Sequence, residues 1–455
     1  MKRLALALLA AAVAIPASAD PVAQMLHDVD AKRIEHTIKT LVSFGTRSTL
    51  SSQDDPKRGI GAARDWLYGE FKKVAETSGG RMTVELQSFD QEPGKYARIA
   101  KTTKLTNVVA TLRGTQPESE KRVYVVSGHY DSMCTSPTDA ECDAPGANDD
   151  ASGTAAVLEA ARVMAPHKFD ATIVFMTVPG EEQGLVGSTH FAEVAKQQEL
   201  DIDAMFTNDI VGNTLGGNGV RDRKTLRVFA EGVPSNETEE EARTRRSVGG
   251  ENDSPSRELA RFIVETAKRD LPNFHVQLIY RRDRYLRGGD HIPFLEHGYP
   301  AVRFTEPNEN YNHQHQNVRV ENGIQYGDLP QFVDFGYIAK VTRVNVAALA
   351  TLALAPARPS NAVVLTNRLT NDTDLQWAPN REPDFDHYEV VWRDTDAPMW
   401  QHSRAVGNVT TYTVKGLSKD NFIFGIRAVD KAGHRSPASF PKPKREPPPP
   451  KKPSP

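Results

Sequence analysis

Two kinds of hydrophobic pattern alternate along the first three quarters of the chain. Short, continuously apolar runs such as VYVVS and TIVFMTV predict strands that are covered on both faces, and longer stretches with apolar residues every three or four positions predict amphipathic helices. Strands are predicted at residues 122–127, 172–178, 204–207, 226–231, 276–280 and 301–305. Helices are predicted at residues 31–42, 61–75, 151–164, 185–198, 256–268 and 330–354. This alternation predicts an α/β domain.

The pattern changes after Pro356. Residues 357–440 contain short alternating strands separated by turn residues, without a helical pattern, which predicts a small all-β sandwich. This region resembles a fibronectin type III domain in its strand order and in Trp377, Tyr388 and the FGIRAVDKAG run, although Phe422 stands where such domains often have tyrosine. Residues 441–455 contain eight prolines in fifteen positions and are predicted to be a disordered tail.

The N-terminus has the pattern of a secretory signal peptide. Lys2 and Arg3 precede an apolar run that ends at Ile15, and small residues at 17–19 form a cleavage site. The run is too short to span a membrane. We therefore expect residues 1–19 to be removed and the mature protein, without a membrane span, to be periplasmic or secreted.

Export gives significance to the only two cysteines of the chain, Cys134 and Cys142. They are eight positions apart in an oxidising compartment, so they are expected to close a small loop as a disulfide, with unlinked thiols as the alternative. The net charge of -3 over 455 residues argues against nucleic acid as the main partner, because nucleic-acid-binding domains usually have a basic excess.

Acidic and histidine residues cluster where the predicted strands end, which is the ligand-binding edge of an open α/β sheet. His129 and Asp131 follow the first predicted strand, two positions apart, so one can bind a metal while the other orients it. Asp150 is placed to cap the next helix, whereas Asp149 has no such structural role. Further candidates are Glu181, Glu182, Asp209, His313 and His315.

The order of these motifs, H-x-D, GANDDASG, EE-x-GL-x-GS, N-D and a late histidine, resembles the co-catalytic zinc aminopeptidase family. That family includes bacterial leucyl aminopeptidases and relatives of glutamate carboxypeptidase and plasma carboxypeptidase. The resemblance covers residues 29–355 and implies a catalytic domain over residues 20–355. It also implies a mixed, mostly parallel central sheet flanked by helices.

The resemblance implies two zinc ions that share one carboxylate. One ion would be bound by His129, Asp149 and Asp209, and the other by Asp149, Glu182 and His313. Three ligand carboxylates and a bridging hydroxide balance the charge of two zinc ions, and a neutral cluster is easier to bury.

The remaining roles follow the same resemblance. Glu181 would be the general base, and Asp131 would orient His129. The last histidine of the family is commonly followed four positions later by aspartate, and here Asn317 follows His313 at that spacing, so we expect His313 rather than His315 to be the ligand.

The family's chemistry implies an enzyme that removes N-terminal residues from peptides with a free amino terminus, using a metal-bridged hydroxide. A carboxypeptidase, a single-zinc glutaminyl cyclase and a non-catalytic binding protein are the alternatives. The sandwich is expected to be dispensable for chemistry and to contact a polymer or surface. Asp290 either borders the site or caps the next helix, and Tyr285 or Arg287 could contact substrate.

Overall fold

An eight-stranded sheet forms the centre of the larger domain in this computed structural model, which describes residues 21–445. The predicted signal peptide and the tail from residue 446 lie outside the described residues. The strands are β1 Met82–Gln91, β2 Thr103–Leu112, β3 Arg122–His129, β4 Thr172–Val178, β5 Asp201–Asn208, β6 Thr225–Phe229, β7 His275–Ile279 and β8 Ala301–Thr305. Their order across the sheet is β1-β2-β4-β3-β5-β8-β6-β7.

The four strands β4, β3, β5 and β8 are parallel, as are β6 and β7, whereas β1, β2 and the β6–β8 pair are antiparallel. The mixed, mostly parallel sheet is confirmed. Every residue of β3 and β4 is buried, which explains their continuous apolar runs. The sequence pattern missed β1 and β2. Strand β1 is an edge strand whose residues are mostly polar and partly exposed, whereas β2 is mostly buried but has polar residues among its apolar ones.

Nine α-helices of the described residues belong to this domain. They are α1 Pro21–Asp28, α2 Ala31–Ser43, α3 Ile60–Glu76, α4 Ala151–Met164, α5 Val186–Gln197, α6 Glu239–Val248, α7 Pro255–Asp270, α8 His291–Glu296 and α9 Phe335–Leu354. The predicted helix at 330–354 is divided, since Pro330–Phe332 forms a separate 3-10 turn and Asp334 caps α9 by accepting from the Tyr337 amide. Helix α9 is long and apolar enough to cross a membrane, but most of it is buried in the core against α2, α4 and α7.

The larger domain also contains a short hairpin of β9 (Arg319–Glu321) and β10 (Ile324–Tyr326). Seven strands of the C-terminal region form two small sheets. They are β11 Val363–Leu365, β12 Thr373–Gln376, β13 Phe385–Asp394, β14 His402–Gly407, β15 Thr411–Val414, β16 Phe422–Asp430 and β17 Lys442–Lys444. One sheet has the order β15-β12-β11-β17 and the other β14-β13-β16. Strand β17 lies in the segment expected to be a disordered tail; it pairs in parallel with β11, so the ordered region extends beyond residue 440.

The sandwich packs against α7 through buried polar side chains. Glu258 of α7 is fully buried and accepts hydrogen bonds from the Trp400 indole (3.1 Å) and the Ala438 amide (2.9 Å) of the sandwich. Arg261, also fully buried, donates to the Pro398 carbonyl at 2.8 Å. Burial of such groups is tolerated only while their partners are in place. The two regions are therefore packed together rather than joined only by a linker.

Candidate active site

The carboxyl end of β3 presents a fixed imidazole. His129 is buried, and its Nδ1 lies 3.2 Å from Asp131 Oδ1. The other oxygen of Asp131 accepts from Thr49 Oγ1 (3.0 Å) and from the Glu182 amide (3.3 Å). A carboxylate held in this way fixes the ring orientation and keeps the proton on Nδ1. The other ring nitrogen, Nε2, faces the cluster, 3.1 Å from Asp149 Oδ1.

Asp149 lies between two imidazoles, one from each side of the site. Its Oδ1 is 3.1 Å from His129 Nε2, and its Oδ2 is 2.7 Å from His315 Nε2. The neighbouring Asp150 has the expected capping role, because its side chain accepts from the Gly153 amide at the start of α4. The side chain of Asp150 also accepts a hydrogen bond from the His129 amide at 3.1 Å, and this bond links the start of α4 to the end of β3.

Two adjacent glutamates follow β4 and face different parts of the cluster. Glu182 is buried, and its Oε1 lies 3.2 Å from His315 Nε2. Glu181 is half-buried, and one of its oxygens lies within 4.8 Å of ligand atoms of His129 and Asp209. Burial, followed by repulsion from Asp209 and Glu182, raises the pKa of Glu181 well above its usual range.

The last ligand position requires a correction. His315, not His313, approaches Asp149 and Glu182, whereas the ring of His313 stacks on Phe332 with centroids 3.7 Å apart. The expectation rested on Asn317 taking the place of the family's aspartate. In the structure Asn317 pairs with Thr135, accepting from its amide at 3.1 Å, and not with His313.

The side chains that face the cluster fit zinc. The group His129, Asp149 and Glu182 and the group His129, Glu181 and Asp209 each place one ligand atom per residue within 4.8 Å of the others. Among the described residues, His129 Nε2 and Glu182 Oε1 are buried without a hydrogen-bond partner. Imidazole and carboxylate are common zinc ligands, and several buried carboxylates need a cation for compensation.

The comparisons with known proteins agree with this geometry. Residues 107–329 match the model of peptidase family M28. A probable zinc metalloprotease of Pyrenophora tritici-repentis is 50% identical over 426 residues, covering 93% of this chain and 87% of the relative. A probable zinc metalloprotease of Leptosphaeria maculans is 49% identical and covers 94% and 98% of the two chains. The chain belongs to peptidase family M28.

Two solved structures show the same fold as this M28 chain. The LapA aminopeptidase of Legionella pneumophila has a TM-score of 0.51 at 20% identity, covering 76% of this chain and 78% of that one. An aminopeptidase of Aneurinibacillus sp. strain AM-1 has a TM-score of 0.50 at 17% identity, covering 72% and 95%. The family and the relatives together show that the protein is a zinc metallopeptidase. Its larger domain has the fold expected from the sequence.

The expected disulfide between Cys134 and Cys142 is present and braces the M28 site. Gln183, next to Glu182, donates to the Pro137 carbonyl within the disulfide loop at 3.1 Å. On the other side, the Asn317 amide donates to Thr135 Oγ1 at 3.1 Å. The loop therefore connects the segment that carries Glu182 with the segment that carries His315.

The sequence did not predict Asp328 and Arg303 at the site, and it left open whether Asp290 borders the site or caps α8. Asp328 is buried and accepts from the amides of Asn148 and Asp149, the latter at 2.7 Å. Asp290 does not cap α8; it is buried and accepts from Ser188 Oγ at 2.6 Å. Arg303 contacts Asp209, and an arginine in the apolar run AVRFT was a signal that could have revealed it.

Proposed function

We propose that this protein is an exported, periplasmic or secreted aminopeptidase that uses two zinc ions. The observation that carries the proposal is the position of Asp149, whose two oxygens face different imidazoles at 3.1 Å and 2.7 Å. A carboxylate with one oxygen toward each histidine is suited to bridge two ions. One ion would be bound by His129, Asp149 and Asp209, and the other by Asp149, Glu182 and His315.

Two zinc ions at these ligands would supply the Lewis acid for peptide hydrolysis. The role of the protein's own groups follows from their positions. Asp131 holds the ring of His129 through Nδ1, and Asp328 holds the backbone on which Asp149 is carried. Asp131 and Asp328 thus hold ligand residues in place before the ions bind, so fewer side-chain movements have to be restricted when zinc binds.

Glu181 is proposed as the general base. Its carboxylate lies beside His129 and Asp209, and it is half-buried rather than sealed, so water can reach it. A carboxylate in this position can take a proton from the attacking water and pass it to the departing amine. Glu182, its neighbour, has both a buried position and a histidine contact, which suit it to metal binding instead.

The choice of an aminopeptidase rests on two supports: the order of the sequence motifs, and the aminopeptidases with the same fold. The proposed substrates are peptides with a free N-terminus. The sandwich is proposed to contact a polymer or surface, because its edge strand β14 is exposed along most of its length. A carboxypeptidase of the same family would use the same metal site with the opposite end of the peptide.

A substrate panel tests the proposal. Purified protein is given aminoacyl chromogenic amides with a free or an acetylated amino group, and peptides with a free or an amidated C-terminus. Each reaction is run with and without a chelator. We expect hydrolysis of every substrate with a free amino group, whatever its C-terminus, and loss of activity on chelation. Hydrolysis restricted to free C-termini, or indifference to chelation, would contradict the proposal.

A further inference from the structure

The two carboxylate oxygens of Asp209 have different neighbours, because one of them contacts Arg303. Arg303 lies in the middle of β8 and is fully buried. Its Nη2 is 2.9 Å from Asp209 Oδ2, whereas Asp209 Oδ1 lies 3.9 Å from His129 Nε2. One oxygen is therefore ion-paired with the guanidinium, and the other lies on the side of His129.

The guanidinium is itself held from a second direction. Nη1 of Arg303 donates to the Gly288 carbonyl and lies 3.4 Å from Asp283 Oδ2. A guanidinium stays charged in proteins, and here the carboxylates of Asp209 and Asp283 compensate its buried charge. Asp283 also pairs with Arg284 at 3.0 Å. Besides its ion pair with Asp209, Arg303 is thus held by Gly288 and Asp283, which are not proposed metal ligands.

Gly289 provides the space that this arrangement needs. A Cβ atom at residue 289 would lie 2.5 Å from Arg303 Nη1 and 3.4 Å from Asp209 Oδ2. The first distance is too short for a real contact, so one of the two groups would have to move. Gly289 is not among the glycines with positive φ, and its backbone is therefore accessible to alanine. At residue 289 the limit is therefore the space beside the Arg303 guanidinium, and not the backbone conformation.

We propose that Arg303 is a positioning residue for one zinc site, and that Gly289 is its required neighbour. Arg303 holds Asp209 Oδ2 so that Oδ1 is presented to the ion beside His129. The inference rests on the proposed two-zinc function. It concerns only the ion bound by His129 and Asp209, because the ligands Glu182 and His315 lie on the other side of Asp149.

The decisive variant is Gly289→Ala, which displaces the guanidinium without removing its charge or its partner Asp283. Zinc binding to the metal-free, full-length protein is measured by competition with a chromogenic chelator. Loss of a group that orients a ligand typically weakens metal affinity roughly 10–100-fold. We expect wild type to bind two ions, and Gly289→Ala to bind one ion with unchanged affinity and the other about 10–100-fold more weakly.

Gly217→Ala is the matched control. A Cβ at Gly217 would meet Asn310 at 3.4 Å, an ordinary contact, and Gly217 also has no positive φ. Its two zinc affinities should equal those of wild type. If Gly289→Ala does not fold, as judged by circular dichroism, Arg303→Lys takes its place, since it keeps the charge but not the planar fork; it should show the same loss at one ion.

The outcomes separate this inference from the proposed function. Wild type that binds a single ion would contradict the two-zinc proposal itself. Wild type with two ions, and a folded variant with both affinities unchanged, would overturn the role of Arg303 alone. Equal weakening of both ions would also overturn it, because that result indicates a general disturbance of the site.

Discussion

His315 Nε2 lies 2.7 Å from Asp149 Oδ2, closer than any other imidazole nitrogen described at this carboxylate. From this contact we expect His315→Ala to lose one of two zinc ions. Turnover of an aminoacyl amide should fall by more than the roughly 10–100-fold that follows loss of a ligand's hydrogen-bond partner. Metal analysis and initial rates on the same preparation provide the measurement.

His313→Ala is the natural control, because His313 is two positions away and stacks on Phe332. Losing that stacking should lower the free energy of unfolding by about 0.5–1.5 kcal/mol and leave the zinc content unchanged. If His313→Ala lost zinc while His315→Ala retained it, the ligand assignment from the structure would be wrong and the one from sequence spacing would be restored.

Glu181→Gln keeps the size of the side chain and removes its ability to accept a proton. We expect a folded protein with normal zinc content and turnover reduced at least about 100-fold, which is within the range of general acid–base contributions. The neighbouring variant Glu182→Gln should instead lose zinc. Near-normal turnover of Glu181→Gln with full zinc content would exclude Glu181 as the base.

Removing the disulfide should weaken zinc binding as well as lower the stability of the fold. The loop closed by Cys134 and Cys142 contacts Gln183 on one side and Asn317 on the other. We expect the double variant Cys134→Ser/Cys142→Ser to lose roughly 2–3 kcal/mol of stability and to bind zinc more weakly. Thermal melts with and without added zinc measure both effects. A variant with lower stability but wild-type zinc affinity would show that the loop does not brace the ligands.

Removing the sandwich should affect stability more than chemistry. The sequence led us to expect a dispensable region, since the proposed ligands precede Pro356. The structure adds that truncation after Ala355 would leave Glu258 and Arg261 without their sandwich partners. Truncation also exposes this face of α7 to water, so the loss is that of the hydrogen bonds themselves, about 1.5–3 kcal/mol for each bond to a charged group. We therefore expect a clearly lower melting temperature, with turnover per folded molecule within a few-fold of the full chain.

A point variant separates these two effects without deleting the region. Trp400→Phe keeps most of the ring contact but removes the hydrogen bond to Glu258. It should destabilise the protein by about 1–3 kcal/mol and leave kcat unchanged. A folded truncation or Trp400→Phe protein with strongly reduced kcat would mean that the sandwich contributes to the site.

The sequence predicted the parts of the structure that have a strong local signal. The central strands β3 and β4 are continuously apolar because both faces are covered. Asp209 directly follows β5, the pair Glu181 and Glu182 follows the end of β4, and Asp149 precedes the start of α4. The edge strand β1 was missed because its exposed side chains are polar.

Long-range contacts explain the remaining differences. His315 and His313 have equivalent sequence surroundings, and only the path of the loop decides which one reaches Asp149. The run AVRFT indicates a buried arginine, but Arg303 is 94 positions from Asp209, so no local pattern identifies its partner. The same applies to the packing of the sandwich on α7, which depends on Trp400 meeting Glu258.

The central claim is that Asp149 is shared by two zinc ions, and zinc analysis of purified Asp149→Ala tests it most directly. The variant should keep its fold, since the capping contact of Asp150 with Gly153 is untouched. We predict that the affinities for both ions fall, whereas Asp209→Ala weakens mainly one. An Asp149→Ala protein that retains two zinc ions with wild-type affinity would contradict the claim.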